Sequence, residues 1–278
     1  MSRVRLGAVQ FQHRPVSTFD QFAAQVRNHA LYAADCGVQL LVFPEYLTAP
    51  LAGIDSDWER WTPEVLTLMT DLAKVHQMVI LGGTHLTRVG TGLRNRAHLF
   101  FPDGRLFHQD KVHMTPCEVD PWALERGNDL LVVDSPVGRL AVNICFDVEF
   151  PGASQAVADA GADILLVPSA TDDRQGFWRV RYCAHARAVE NQLYVIHSGV
   201  TGALPGLRYF EQWYGRSAII TPCDIPFPPD GIMVQGEWNE DACLVGEVDL
   251  GLLQRIRQSG SVTPRKERRP EAYVARSQ

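Results

Sequence analysis

Residues 4–43, VRLGAVQFQHRPVSTFDQFAAQVRNHALYAADCGVQLLVF, contain the pattern that decides the fold class. An alternating apolar run at 4–11 precedes an amphipathic segment at 19–36, and a second apolar run follows at 39–43. Alternation is typical of a strand, whereas apolar spacings of three and four residues are typical of a helix. Gly37 stands where a helix commonly ends. The stretch therefore predicts a strand, a helix and a second strand in succession.

The same interleaving of strand and helix patterns continues along the chain. Further strands are predicted at 78–82, 97–101, 105–109, 130–134, 140–144, 164–167, 193–197, 217–221, 232–235 and 243–248. Further helices are predicted at 58–76, 152–160 and 176–191. The turn Pro102-Asp103-Gly104 is typical of a hairpin. We therefore expect an α/β fold in which helices cover large mixed sheets.

No linker or change of composition divides this pattern, which favours one domain at 1–258 and a separate tail at 259–278. The tail carries a basic cluster at 265–269 between two prolines, typical of a segment that is solvated or docked on a partner subunit. Docking of this tail on a partner subunit is one of the two alternatives that we expect.

Composition excludes several classes of protein. Of 278 residues, 46% are hydrophobic and 21% charged, which excludes collagen-like, coiled-coil and wholly disordered chains. A net charge of -6 disfavours nucleic-acid binding. No apolar run has the length of a membrane helix, and residues 1–11 do not resemble a signal peptide, so we expect a cytoplasmic protein without a membrane partner. Six cysteines without a CxxC pair predict free thiols.

Three polar residues follow apolar, strand-like runs directly: Glu45, Lys111 and Cys145. In open α/β sheets, the groups that meet a ligand gather beyond the carboxyl ends of the strands. A carboxylate, an ammonium and a thiol in one dry pocket can act as general base, oxyanion stabiliser and nucleophile. We therefore interpret these residues as a candidate catalytic group.

Each of these residues also has an ordinary structural explanation. Glu45 could be a loop carboxylate or a local cap, and Lys111 a solvated surface charge. Cys145 could be a small buried apolar side chain. However, Cys145 lies in NICFDVEFPG, where a strand breaks abruptly and a helix is predicted after the proline. A thiol on such a turn is exposed to a pocket and close to backbone N–H groups.

Other candidates carry weaker signals. Glu118 follows Lys111 by seven residues and could orient it, or be a plain surface carboxylate. His113 and Cys117 have metal-compatible side chains, but zinc needs at least three ligands, so we expect no metal site. Walker, GxGxxG, GxSxG and HExxH motifs are absent. We therefore predict no cofactor.

Jointly, Glu45 in FPEY, Lys111 in DKVHMTPCE and Cys145 in NICFDVEFPG resemble the nitrilase superfamily of carbon-nitrogen hydrolases, with RVRYCAHARAVEN at 179–191 also similar. The resemblance covers about residues 3–250. It implies a four-layer α-β-β-α sandwich with two mixed sheets. It also implies a homodimer or higher homo-oligomer, for which the helix at 176–191 and the basic tail are interface candidates.

The resemblance assigns roles to the candidate residues. Cys145 is implied to be the nucleophile, Glu45 the general base and acid, and Lys111 the stabiliser of the tetrahedral intermediate. Glu118 resembles the second glutamate of amidase-like members, and the backbone N–H of Phe146 is implied to complete the oxyanion hole. Phe-Pro-Gly stands here where many relatives have Phe-Pro-Glu, and Cys-Phe-Asp where many have Cys-Tyr-Asp.

The implied activity is hydrolysis of a small non-peptide amide or carbamoyl compound through a thioester. True nitrilases usually carry Trp-Glu after the nucleophile, which this chain lacks, so an amide is favoured over a nitrile. A non-catalytic binding protein of the same fold is the third alternative. Tyr46, Thr171 and Arg174 are candidate substrate-binding residues, although Arg174 could equally pair with Asp172 or Asp173.

Overall fold

The computed structural model describes residues 3–120, 122–208 and 211–275. Within these ranges the strands are β1 (Arg3–His13), β2 (Leu40–Phe43), β3 (Val79–Val89), β4 (Gly92–Phe100), β5 (Leu106–Asp110), β6 (Val132–Ser135), β7 (Gly138–Val142), β8 (Ile164–Ser169), β9 (Tyr194–Gly202), β10 (Ala218–Ile220), β11 (Ile232–Gln235) and β12 (Ala242–Asp249). The α-helices are α1 (Phe19–Asp35), α2 (Thr62–Val75), α3 (Pro116–Val119), α4 (Pro151–Asp159), α5 (Arg174–Asn191) and α6 (Leu250–Ser259).

The strands form two halves that meet at β1. One half has the order β5-β4-β3-β2-β1-β12, and the other has the order β6-β7-β8-β9-β10-β11. Both halves are mixed: β1, β2 and β3 run parallel to one another, as do β7, β8 and β9, while the outer strands pair antiparallel. The end of β1 pairs with the end of β9 and joins the halves. The predicted α/β fold with mixed sheets is confirmed.

Alternation along β2 shows how the layers pack. Leu40 and Val42 belong to a core that also contains Leu165 of β8, so the two halves of the sheet share apolar contacts. Leu41 and Phe43 point the other way, into a second core with α1 and α2. On the opposite side, α4 and α5 add buried side chains to the first core.

Most predicted elements have counterparts close to their expected bounds, including the hairpin of β4 and β5. Two differences are large. The predicted strand at 78–82 continues to Val89, and its partner begins at Gly92 rather than at residue 97. In addition, α6 and α3 occupy segments for which no helix was predicted. No helix in the described ranges is both long and apolar enough to cross a membrane.

The basic tail contacts its own chain. Arg268 binds Asp159, the last residue of α4, at 2.7 Å, and also donates to the side chain of Asn191. Arg265 donates to the carbonyl of Ala158. Cations stabilise the carbonyl end of a helix, which explains this position. Docking on a partner subunit stays a prediction, and residues 276–278 of the predicted tail lie outside the described residues.

Candidate active site

The three candidate catalytic side chains line one cavity of about 470 Å³. Glu45 follows β2, Lys111 follows β5, and Cys145 follows β7 after two residues. All three side chains are buried, with 1%, 1% and 5% exposure. The structure therefore brings together residues that are 100 positions apart in the chain, as the placement after strands predicted.

Cys145 lies at a sharp change of backbone direction. It begins a 3-10 helix, Cys145–Glu149, and has a φ of 47°, a left-handed conformation that costs energy for a residue with a side chain. Its Sγ lies 3.7 Å from the carbonyl oxygen of Ala170, at the end of β8. The backbone thus turns the thiol into the cavity, with Phe146, also on the lining, as the next residue.

Asp147 fixes this turn against the segment that carries Lys111. Its carboxylate accepts hydrogen bonds from the backbone N–H groups of His113 at 2.7 Å and Ile144 at 3.1 Å. It also contacts Nδ1 of His113 at 2.9 Å. The His113 ring stacks on Phe150 with 3.6 Å between centroids. One buried carboxylate therefore sets the position of the nucleophile relative to the ammonium.

Lys111 is held between two carboxylates. Its Nζ donates to Glu45 at 2.8 Å and to both oxygens of Glu118 at 2.8 and 2.9 Å. Asn95 of β4 donates to the same two carboxylates, at 2.9 Å to Glu45 and 3.0 Å to Glu118. The ammonium is therefore fixed in direction, which a long lysine side chain achieves only when every donor has a partner.

Glu118 is fixed by the short helix that contains it. Thr115 and Glu118 form a capping box at the start of α3, in which the Thr115 N–H and hydroxyl donate to the carboxylate at 2.9 and 2.8 Å. The Tyr46 hydroxyl donates to its other oxygen at 2.5 Å. Glu45 in turn accepts from the Ala170 N–H at 3.0 Å.

Burial and neighbouring charges move the pKa values of the two glutamates in opposite directions. Burial raises the pKa of Glu45, and the charge of Glu118 raises it further, against the opposing effect of Lys111. Burial acts on Glu118 in the same sense, but the Lys111 ammonium and the hydrogen bond from Tyr46 prevail and bring its pKa to about 2. Such a separation indicates which group exchanges protons: Glu45 can, and Glu118 remains an anion.

The same surroundings keep the thiol neutral and the ammonium charged. Burial and the adjacent Glu45 carboxylate raise the pKa of Cys145 well above its ordinary value. Burial alone would lower the pKa of Lys111, but the two carboxylates raise it well above the ordinary value. At neutral pH the cavity therefore holds a thiol, not a thiolate, beside a permanent cation.

Two of the three predicted substrate-binding residues lie on the lining of the cavity, and the third does not. Tyr46 and Thr171 lie on the cavity, although the Thr171 hydroxyl donates to the Tyr214 carbonyl at 2.8 Å. Arg174 does not lie on the lining: its guanidinium lies over the Tyr214 ring, 5.4 Å from the centroid. The arginine on the lining is Arg179, five residues further along α5. Substrate binding by Arg174 stays a prediction.

Sequence reasoning did not select Asn95, Thr115 or Asp147, which orient the catalytic group. Asp147 was within the quoted turn, so its position two residues after the thiol was an available signal. Asn95 gave no such signal because it lies in the part of β4 before residue 97, which was not predicted as strand. Among the residues that the structure describes, no three His, Cys, Asp or Glu side chains are grouped to hold a metal ion.

Comparison with known proteins gives relatives across most of the chain. A probable hydrolase, YhcX of Bacillus subtilis, is 37% identical over 97% of this chain, but the chain spans only 54% of that protein. Deaminated glutathione amidase of Dictyostelium discoideum is 45% identical over 80% of this chain and 81% of that protein.

Solved structures include an amidase from Nesterenkonia sp. AN1. The structure of a mutant of that amidase has 20% sequence identity and a TM-score of 0.77 over 97% of this chain and 95% of that one. It shows covalent addition of the acetamide moiety of fluoroacetamide at the active site cysteine.

The model of the family described as carbon-nitrogen hydrolase matches residues 5–258. These bounds agree with the extent of the sequence resemblance. Because the match takes in nearly the whole chain, the protein belongs to the carbon-nitrogen hydrolase family.

Proposed function

We propose that this chain is an amidase that hydrolyses a small non-peptide amide through a thioester on Cys145. The observation that carries the proposal is the buried contact of Glu45 with the Lys111 ammonium at 2.8 Å, in the cavity that holds the Cys145 thiol. Such a set supplies a base, an electrophilic cation and a nucleophile without a cofactor. The names of the amidase relatives support the same class of reaction.

Formation of the thioester begins with proton transfer from Cys145 to Glu45. This transfer leaves the net charge of the cavity unchanged, whereas loss of the proton to water would add a negative charge beside two carboxylates. The sulfur then attacks the amide carbonyl carbon, and the carbonyl π electrons move onto oxygen. Lys111 and the backbone N–H of Phe146 stabilise that oxyanion. The oxyanion electrons then re-form the carbonyl, the carbon–nitrogen bond breaks, and protonated Glu45 gives its proton to the departing nitrogen.

Hydrolysis of the thioester reuses the same groups. Glu45, now ionised, takes a proton from a water molecule, and the oxygen of that water molecule attacks the thioester carbonyl carbon. The carbon–sulfur bond then breaks, the proton on Glu45 passes to sulfur, and the carboxylic acid gives its remaining proton to solvent and leaves as a carboxylate. Throughout, Glu118 remains an anion that holds Lys111 in position. The amide substrate is thus converted to a carboxylate and either ammonia or an amine.

Ammonia release tests the proposal. A panel of aliphatic amides, ω-amides and carbamoyl amines is incubated with the protein, beside nitriles of matching chain length. We expect hydrolysis of at least one amide, little hydrolysis of its nitrile, and loss of activity in Cys145→Ala. Cys223→Ser, at an exposed cysteine, is the control and should retain activity. Turnover by Cys145→Ala equal to that of the unaltered protein would refute the assignment, and preference for nitriles would make the chain a nitrilase.

A further inference from the structure

The charges on the cavity wall point to the chemistry of the substrate. Among the described residues that line it, four are acidic and two are basic: Glu45, Glu118, Glu149 and Asp172 against Lys111 and Arg179. Two of the carboxylates belong to the catalytic group, where Lys111 faces both. The remaining two carboxylates face one arginine, Arg179, so the rest of the lining keeps an excess of one negative charge.

Glu149 is the carboxylate best placed to act on a ligand. It ends the 3-10 helix that Cys145 begins, so it is four residues from the nucleophile on a rigid element. Its side chain is only 16% exposed, and Asp172 lies on the exposed rim of the same cavity.

The present partner of Glu149 is weakly held. Arg179 Nε lies 3.5 Å from Glu149 Oε2, and the arginine side chain is 61% exposed. Ion pairs of this geometry and exposure contribute little to stability, because solvent screens them and the long side chain loses entropy. A cation on a ligand can therefore replace Arg179 at Glu149 at small cost.

Aromatic rings form much of the remaining wall and provide an observation independent of the carboxylates. Tyr46, Trp122, Phe146 and Trp213 all line the cavity. The face of an aromatic ring attracts ammonium and guanidinium groups, most strongly when they are partly desolvated. Rings combined with surplus carboxylates favour an organic cation and disfavour an anion of the same size.

We propose that the substrate carries a cationic amine or guanidine group, which Glu149 recognises against the aromatic wall of the cavity. This inference rests on the proposed amidase function and specifies its substrate class. Glu149 is then a specificity-determining residue: its charge selects the substrate and takes no part in proton transfer.

Three amides of similar chain length test the inference. They are δ-aminovaleramide, valeramide and glutaramate, which carry a positive charge, no charge and a negative charge. We expect kcat/KM for ammonia release to fall in that order. Glu149→Gln should lower kcat/KM about tenfold for the cationic amide and leave valeramide unchanged. Glu64→Gln, on α2 and outside this cavity, is the matched control and should change neither value.

Two results would overturn the inference while leaving the amidase function intact. One is faster hydrolysis of glutaramate than of δ-aminovaleramide. The other is an equal loss with all three amides in Glu149→Gln, which would make Glu149 a positioning residue.

A measurement that does not depend on turnover shows which of the two proposals fails, the amidase function or the selectivity for a cationic substrate. Methanethiosulfonates with a trimethylammonium or a sulfonate group react with thiols directly, and the modified Cys145 peptide is quantified by mass spectrometry. We expect faster modification by the cationic reagent, and a smaller preference in Glu149→Gln. This preference without hydrolysis of any amide would contradict the amidase function alone, and equal rates with both reagents would contradict the charge selectivity.

Discussion

Two glutamates in one cavity, Glu45 and Glu118, have surroundings that shift the pKa values of their carboxyl groups in opposite directions. Both are buried and both contact Lys111, yet Glu118 also receives the Tyr46 hydroxyl and the Thr115 N–H. Each such donor stabilises the ionised form. Glu118 accepts hydrogen bonds from more donors than Glu45 does. It therefore stays ionised, whereas Glu45 can exchange protons.

Glu118→Gln tests this division through the pH dependence of activity. Glu45 must be ionised to accept the thiol proton, so kcat/KM falls as pH drops through its pKa. The charge of Glu118 raises that pKa, and its removal should move the acid limb of the pH profile to lower pH. We also expect a lower kcat, because Lys111 loses an anchor. An acid limb that stays in place or moves to higher pH would contradict the account.

The control for this measurement is Glu125→Gln, which removes an exposed carboxylate that pairs with Arg94 of β4. Its profile should match that of the unaltered protein.

At this scale the sequence could indicate the reacting groups but not their supports. Glu45 and Lys111 follow apolar runs directly, and that pattern marks the carboxyl end of a strand. Asn95 is equally buried, but a polar residue between two arginines is typical of a solvent-exposed loop in sequence. Its place at the site depends on pairing between β3 and β4. The residues next to Asn95 in the sequence do not indicate that pairing.

At the scale of elements, the catalytic geometry depends on joining the segment after β5 to the turn after β7. Asp147 does this with backbone hydrogen bonds to both, and it is buried. The elements themselves were predicted where apolar periodicity was unbroken. The extension of β3 beyond residue 82 was missed because Gly82-Gly83 is typical of a strand end, and the buried His85 interrupts the apolar pattern.

Asp147→Asn should weaken this junction. An amide oxygen can replace only part of the carboxylate's hydrogen bonding, and a buried donor left without a partner costs about 1–3 kcal/mol. We expect the free energy of unfolding, measured in urea, to fall by about that amount. Because small displacements of reacting groups are costly, we also expect kcat/KM to fall by about 10²-fold.

Asp134→Asn removes an exposed carboxylate, 84% accessible, that pairs with Arg139 on β7. It should change neither quantity. If Asp147→Asn left both stability and activity at their original values, the junction would have to be held by other contacts.

At the scale of the whole molecule, burial of neutral histidines makes stability depend on pH. His13 and His85 are fully buried, and burial lowers the pKa of each to about 3. Burial also lowers the pKa values of His98 and His197 well below the ordinary value. Packing of the sheets and helices places these rings in the interior, which the sequence could not indicate because the two-sheet arrangement came from resemblance and not from periodicity.

The folded protein should therefore lose stability as pH falls below about 6.5. The unfolded chain binds protons at these histidines in that range and the folded chain does not, so stability rises with pH between the two pKa values. Between pH 7 and pH 5.5 each ring should cost about 1 kcal/mol of the free energy of unfolding. Urea denaturation at several pH values measures this slope.

Replacing one ring by an uncharged side chain, as in His98→Phe, should reduce the slope by about one quarter. A free energy of unfolding that is constant over this pH range would contradict the burial of these groups as neutral rings.

The central claim is that Cys145 carries the acyl group of the substrate during turnover, and intact-protein mass spectrometry after rapid acid quench tests it most directly. With an amide that the protein hydrolyses slowly, we predict a mass increase equal to the acyl group, mapped to the peptide of Cys145 and lost on treatment with hydroxylamine. Cys145→Ala should show no increase. An adduct on another residue, or steady turnover with no adduct at any quench time together with activity in Cys145→Ala, would contradict the account.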